Sequence, residues 1–470
     1  MGSTTCRSFS IPTGKKYKKE APENRAVTNV SQYRAAQIAF ASIITQNHDE
    51  SSMNGRSDFA FIKHRNEEYR RKDEILPEED SPSGEDVDVD VLPDKVLLPP
   101  DVYERPHGGI PFINIVGDTN QLPPVMKKPV YSTHTPVAST SDAVGKIAFH
   151  DDFFDPSDPD IVEAFVIVMD EVLRQNDETF LTLLDHMREG TMTENDLSLL
   201  FNRQIDQIPP DEREKFCKES LHLVPTWKAA ASIIFDYLQN TLDEPIAKMY
   251  AKYSSSRSDG KNCCVRECRY PPQNALCKGA KVMLLKNFVV ELGLMNGAVG
   301  TVVDLCYKEC NGPYPDGDEV EHGSMFYDEA LQYAVVDFPA CTIPEGSKFF
   351  ANKPRTYIPI PLAEERCDRK CCSVRALPLR CCKALSIHKS QGITVGPGKA
   401  FEYVTVHYPT VNSGDRSTPG LELVATSRVE KLDYLAVGNP LSDLSRQQLT
   451  KIGTTNKAYK DRKEYLGERA

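Results

Sequence analysis

Residues 109–125, GIPFINIVGDTNQLPPV, run an apolar strand-forming segment into a Gly-Asp-x-x-Gln turn and then two prolines. A strand that empties into such a turn sets a carboxylate and an amide at the carboxyl edge of a sheet, where α/β folds bind ligands. Pro123 and Pro124 stiffen the chain that follows. Taken singly the stretch also fits a proline-stiffened surface turn, so its meaning depends on its surroundings.

Those surroundings alternate between strand and helix patterns. QYRAAQIAFASIITQ reads as an amphipathic segment running into a strand that stops at Asp49, and DFAFIKHRNEEYRRK has apolar residues at helical spacing with a basic face. From Asp160 to about Asp206 the pattern is helical. LHLVPT is a strand followed by the helix WKAAASIIFDYLQNTL. Residues 277–380 differ: AKVMLLKN, GAVGTVVDL, QYAVVDF and TYIPIPL are short strands between Gly/Pro turns, a small all-β module. CCKALSIHKSQGITV and LELVATSRV then resume the alternation, with Val424–Val429 read as an apolar strand delivering Arg428. An α/β body with a β module inserted late is the simplest architecture.

A net charge of −12 over 470 residues looks wrong for a nucleic-acid partner until its distribution is read. Residues 73–104 carry twelve acidic residues and one lysine, so the rest of the chain sums to −1. A nearly neutral body with local basic grooves is compatible with DNA. The acidic stretch, rich in Pro, Ser and Gly, reads as a disordered surface insertion rather than a strand mimic. The fourteen cysteines include three adjacent pairs and no C-x-x-C, which suits a reducing compartment. Cys263, Cys264, Cys268 and Cys277 lack the usual zinc-ligand spacing and read as plain thiols. No run of about 18 apolar residues is present, so no membrane span is expected, and the N-terminus carries no apolar segment of the secretory kind.

A phosphate-binding loop requires G-x-x-x-x-G-K-[ST]. The Gly14-Lys15 pair has Phe9 at the first glycine position and Lys16 at the hydroxyl position. Gly145-Lys146, Gly260-Lys261 and Gly398-Lys399 also lack the Ser/Thr. Other segments carry the chemistry of nucleotide hydrolysis. Asp49-Glu50 at a strand end fits Mg²⁺ coordination by Asp49 and water activation by Glu50. EVLRQND sets Arg174 at a helix start, SIHKSQGIT puts a polar, glycine-containing turn after a strand, and VATSRV supplies Arg428. Each alone is ordinary composition.

Their order is not ordinary. DESSM, GGIPFINIVGDTNQLPPV, VLRQNDETFLTLLDHMREG, CKGAKVMLLKN…GLMNGAVGTVVDL, ALSIHKSQGIT and VATSRVEKLDYLAV succeed one another in a sequence that resembles the Pif1-like branch of superfamily 1 helicases, relatives of the RecD-type 5′-to-3′ DNA helicases. The resemblance runs from about Cys6 to Val437, interrupted by the acidic insertion. It implies an α/β fold of two RecA-like P-loop NTPase-type domains, the first truncated, with an SH3-like β insertion in the second. The implied boundaries are 1–158 for the first domain (with 73–105 as the acidic insertion), 159–280 and 376–445 for the second, 281–375 for the β module, and 446–470 for a tail.

The resemblance also implies roles. Asp49 and Glu50 would be the Walker B pair, with Asp49 on Mg²⁺, and Gln121 the sensor between γ-phosphate and DNA. Arg174 and Arg428 would reach the γ-phosphate. Gly117, Asp118 and Gly392 would border the nucleotide, and Pro123, Pro124, His388, Lys389, Ser390, Gln391 and Thr394 the DNA track. ATP and Mg²⁺ are the implied cofactors, and single-stranded DNA or DNA with a 5′ single-stranded tail the implied partner of a monomer. The implied setting is DNA repair, recombination or telomere maintenance in the nucleus or mitochondrion. CRSFSIPTGKKYK resembles the family segment after its first motifs, so the P-loop is expected upstream of Met1 and this chain is expected to be inactive alone. The alternative is a pseudo-helicase, a DNA-binding or scaffold protein. TQNH, Thr45–His48, departs from the family by interrupting an apolar strand with polar residues, which such a strand tolerates only when they are paired.

Overall fold

A computed structural model describes residues 45–48, 56–70, 106–110, 112–118, 122, 124, 130, 139–154, 167, 172–242, 244–255, 270–307, 325–327, 331–344, 346–366, 372–408, 420–438 and 449. Asp49, Glu50, Gln121, Pro123, the acidic insertion and Cys263, Cys264 and Cys268 lie outside them. The chain divides into two units, the second comprising Val172–Ser417 and Leu421–Gly453.

In the first unit, β1 (Thr45–His48) pairs in parallel with β2 (Phe112–Ile115), from Thr45 opposite Phe112 to His48 opposite Ile115. TQNH therefore does not interrupt the strand but constitutes it, and its two amide side chains are paired. Gln46 and Asn66 exchange amide hydrogen bonds of 3.2 and 3.0 Å, and Asn114 Nδ2 donates to Asn47 Oδ1 at 2.7 Å. Burial holds the His48 imidazole down to about 4, so it enters the strand neutral.

Behind the strands, α1 (Arg56–Arg70) packs on α2 (Thr140–Phe154), with Phe59 edge-on to Phe149 at 5.5 Å. The buried Arg56 guanidinium lies 3.7 Å from the Asp142 carboxylate. The helices meet so closely that a Cβ on Gly145 would stand 1.6 Å from the Arg56 carbonyl oxygen.

The second unit is built on a parallel sheet ordered β15 (Ala384–Ser386), β3 (Leu221–Val224), β16 (Val404–Val406), β17 (Leu435–Val437). These strands are nearly uniformly buried, as a parallel sheet covered on both faces requires. Helix α3 (Glu178–Glu189) starts at an Asp177 cap that accepts from Thr179 and Phe180 N–H and stops at Gly190, φ 71°. Helix α4 (Glu194–Asn202) carries a reciprocal Thr193–Asp196 capping box. Pro210 opens α5 (Pro210–Glu219), and α6 (Trp227–Asp236) follows β3 directly.

The helical reading of 160–206 thus needs trimming: residues 172–177 are not helical, and Arg174 lies in a bend ahead of the α3 cap rather than on a helix. Val424–Val429 is not a strand. Leu421–Thr426 is the short helix α7, buried at every position. An apolar run buried all round has no exposed face to impose a period, so its helical state is invisible in the sequence pattern.

Between α6 and β15 the chain turns to mostly antiparallel sheet. Five strands are ordered β11 (Tyr357–Pro361), β10 (Leu331–Asp337), β8 (Val299–Tyr307), β7 (Lys281–Leu284), β14 (Leu379–Cys381). Two three-stranded sheets add β4 (Ile246–Tyr250) with β6 (Gln273–Leu276) and β9 (Met325–Tyr327), and β12 (Ala363–Arg366) with β13 (Cys372–Ala376) and β5 (Lys252–Ser255). A shared core runs from Leu238 through Val282, Val302 and Val336 to Ile358 and Leu379. Gly300 is required there, since a Cβ would lie 2.6 Å from the Asp337 carbonyl oxygen.

Gly145→Ala should force α1 from α2 and cost about 2 kcal/mol, the usual scale for overpacking. Denaturant titration should show a lower midpoint; an unchanged midpoint would mean that the helices separate freely.

Candidate functional site

In the first unit, the two strands deliver their carboxyl ends side by side. The Val116 N–H donates to the His48 carbonyl at 2.7 Å, so pairing persists to the last described residue of β1. Gly117 and Asp118 follow, exposed and half-buried respectively, and Leu122 and Pro124 are buried.

The second unit brings together three segments far apart in sequence. After β15 a 3₁₀ turn, Ile387–Ser390, closes on itself through Ser390 Oγ donating to the Ile387 carbonyl at 2.8 Å. Lys389 is exposed and His388 half-buried, its imidazole pulled below the usual value by burial. Gly392 then takes φ +78°, with no atom within 4 Å of an added Cβ, so the turn asks for glycine by backbone conformation rather than space. Gln391 and Thr394 flank it, half-buried.

This strap is tied to the segment after α7. Val395 forms a parallel bridge with Val429; its N–H donates to the Arg428 carbonyl at 2.8 Å, and the Glu430 N–H donates back to Val395 at 3.1 Å. The third segment grips the same place. Arg174 Nη1 donates to the Ser427 carbonyl at 3.1 Å, while Gln175 Nε2 donates to the carbonyls of Ser427 at 3.0 Å and Val429 at 3.1 Å.

Arg428 is 2% exposed, with Nε on the Val424 carbonyl at 2.8 Å and Nη2 on Ser427 Oγ at 3.0 Å. So Arg174, Arg428 and the 388–395 strap form one hydrogen-bonded assembly around Ser427–Val429. Gln175, which the sequence reading did not single out, is its central tie. Its only sequence signal is its place in the polar run Arg174–Asp177, ahead of an amphipathic helix.

Below this edge lies a histidine pair. His222 Nδ1 and His407 Nε2 are 3.0 Å apart with the rings stacked at 5.3 Å. One ring must donate and the other accept, which two imidazolium ions cannot do. Burial holds His407 down to about 4 and His222 well below its usual value, the latter helped by the neighbouring His407 and Lys383. Nearby, Ser220 Oγ and Thr405 Oγ1 share a buried 2.8 Å hydrogen bond.

Among the described residues, no group of three or more His, Cys, Asp or Glu is arranged to hold a metal ion, and no helix is long and apolar enough to cross a membrane. Cys277 is buried and in no disulfide.

Comparison with known proteins agrees with this architecture. A family model for the 2B domain of the DNA helicase Pif1 matches residues 271–305, which hold β6, β7 and most of β8. ATP-dependent DNA helicase PIF1 of Danio rerio is 26% identical over 293 residues, 62% of this chain and 36% of that protein. This chain therefore spans little more than a third of that relative's length. The crystal structure of Pif1 helicase from Candida albicans superposes with a TM-score of 0.63 at 18% identity, covering 99% of this chain and 85% of that one. Bacteroides Pif1 in complex with ADP-AlF3 and ssDNA gives 0.59 at 18% identity, covering 100% and 84%.

Two outcomes follow from the geometry. Gln175→Ala should leave the Val429 carbonyl without its amide donor and Ser427 with Arg174 alone, and cost about 1–3 kcal/mol, read as a lower unfolding midpoint for the second unit. The histidine pair has folded values below the unfolded value of about 6.5, so its stabilisation is complete above 6.5 and is lost as pH falls from there toward 4. Thermal unfolding followed by Trp227, the single tryptophan, should shift down between pH 7.5 and 5. A His407→Gln variant should flatten that slope, and an equally steep slope would rule the pair out as its source.

Proposed function

We propose that this chain, Pif1-like in sequence and fold, is the two-domain body of an ATP-dependent 5′-to-3′ DNA helicase that tracks along single-stranded DNA. The observation that carries this reading is the tie at Ser427–Val429, which joins Arg174 and Arg428 to the Lys389–Thr394 strap. Guanidinium groups neutralise charge on a transferring γ-phosphate. A basic, polar turn at a sheet's carboxyl edge suits a phosphodiester backbone. Because Arg174 and the strap are both tied to the 427–430 backbone, one by a hydrogen bond and the other by a β-bridge, displacement of either is passed to the other, which is the coupling that a translocating motor needs.

The related crystal structure with ADP-AlF3 and ssDNA supports ATP and single-stranded DNA as the ligands. Its partners here would be single-stranded DNA or a 5′-tailed duplex, met by a monomer in the nucleus or mitochondrion. Asp49, which the family resemblance assigns to Mg²⁺, and Glu50 and Gln121 lie outside the described residues. Arg174 and Arg428 would hold phosphate oxygens, and the nucleotide would supply the driving hydrolysis.

A second reading is favoured by one sequence fact: no G-x-x-x-x-G-K-[ST] occurs in the 470 residues. On that reading the chain binds DNA as a scaffold without turnover. ATP hydrolysis by the purified chain, with and without single-stranded DNA, separates the two. DNA-stimulated turnover abolished by Glu50→Gln would support a motor complete in this chain. DNA binding without turnover would support the non-catalytic reading for the chain on its own.

Binding itself should be electrostatic. The affinity for oligo-dT should fall with rising salt, and Lys389→Ala should lessen the log–log slope by about 0.7, one single-strand phosphate contact. An unchanged slope would remove Lys389 from the track.

A further inference from the structure

The chain has one tryptophan, and it is not in the core. Trp227 is 44% exposed at the first position of α6, with the Arg380 guanidinium 4.5 Å from its ring centroid. A core role would bury the indole, and helix formation does not require it. Ala230 and Ile233, not Trp227, pack α6 against Val224 of β3 and Ala384 of β15. The arginine itself is half-buried on β14, where burial draws its pKa down. A planar cation fixed on one face of an indole orients the ring and leaves area for a second plane.

The location matters as much as the ring. β15 and β3 are adjacent parallel strands with Ser386 opposite Val224. The His388–Thr394 strap leaves β15 directly after Ser386, and Trp227 stands three residues beyond Val224. Three residues of chain span at most about 10 Å, and neighbouring strands lie about 4.8 Å apart. The indole and the strap therefore leave adjacent strands at the same carboxyl edge of the same sheet. Lys228, exposed beside the indole, adds positive charge.

We propose that Trp227, backed by Arg380, is a stacking platform for one base of a single strand held on the 388–394 strap. The contact is to the base face, so it accepts any base and complements the phosphate contacts of the strap. The inference rests on the single-stranded DNA reading above. It adds a binding residue on the α6 side, formed jointly by the α/β sheet and the β module.

Excitation at the red edge of protein absorption reports Trp227 alone. Oligo-dT should quench its emission in step with binding measured independently by anisotropy of a labelled strand. An oligomer of the same length with abasic sugars throughout should bind through phosphates and leave the emission unquenched. Trp227→Ala should weaken oligo-dT binding roughly 5- to 150-fold, the range for loss of one base–aromatic stack; Trp227→Phe should restore most of it, and Arg380→Ala should reduce the quench. Circular dichroism would confirm that each variant folds. Binding with unchanged emission, or equal quenching by the abasic strand, would overturn the stacking role while leaving the DNA reading intact. Absence of any binding would overturn both.

Discussion

The side-chain amide of Gln175 donates to two carbonyls that lie some 250 residues downstream, Ser427 and Val429. Each bond is worth about 1 kcal/mol net, but the cost of leaving buried carbonyls unpaired is larger, so the segment 427–430 is held where the amide dictates. From there the order spreads. Arg174 shares the Ser427 carbonyl, Val395 bridges to Val429, and Arg428 folds back on α7. The two arginines and the glycine-containing strap keep their relation because one short stretch of backbone is anchored from both sides.

A similar economy joins the β module to the parallel sheet. The chain passes from β14 to β15 through only Cys382 and Lys383, and cations at this root rest on aromatic rings of the α/β part. Arg380 lies over Trp227, Lys383 over Tyr237 at 5.1 Å, and Lys281 over Phe401 at 5.3 Å. Lys383 is buried, donates to the carbonyls of Cys217 and Lys218, and is held down to about 8 by burial and by the charge of Lys281. Such contacts tolerate sliding better than interdigitated apolar packing does.

Polar residues in β1 show how tertiary pairing rescues an unfavourable strand. Gln46 and His48, both buried, would each oppose burial alone. Gln46 is matched by Asn66 from α1, Asn47 by Asn114 from β2, and the His48 ring is neutral. The strand is specified by its amide partners rather than by apolar content. It still delivers its carboxyl end beside β2, where a ligand-binding edge is expected.

The sequence by itself determined the elements whose physics is local. The β2 run ending in Gly-Asp, the β3–α6 unit, the antiparallel module with its Gly/Pro turns, and the Ser386–Thr394 turn all follow from period, propensity and turn chemistry. The order of the motif blocks added the family resemblance. Only the tertiary structure decided that Val424–Thr426 is helix rather than strand, because a segment buried on every side carries no periodic signature. It alone showed that TQNH is a strand, since the amides that make it one come from residues 20 and 67 positions away. The role of Gln175 and the Trp227–Arg380 pair were equally out of reach. Each depends on a contact across more than a hundred residues of chain, and local composition carries no record of what such a residue will meet.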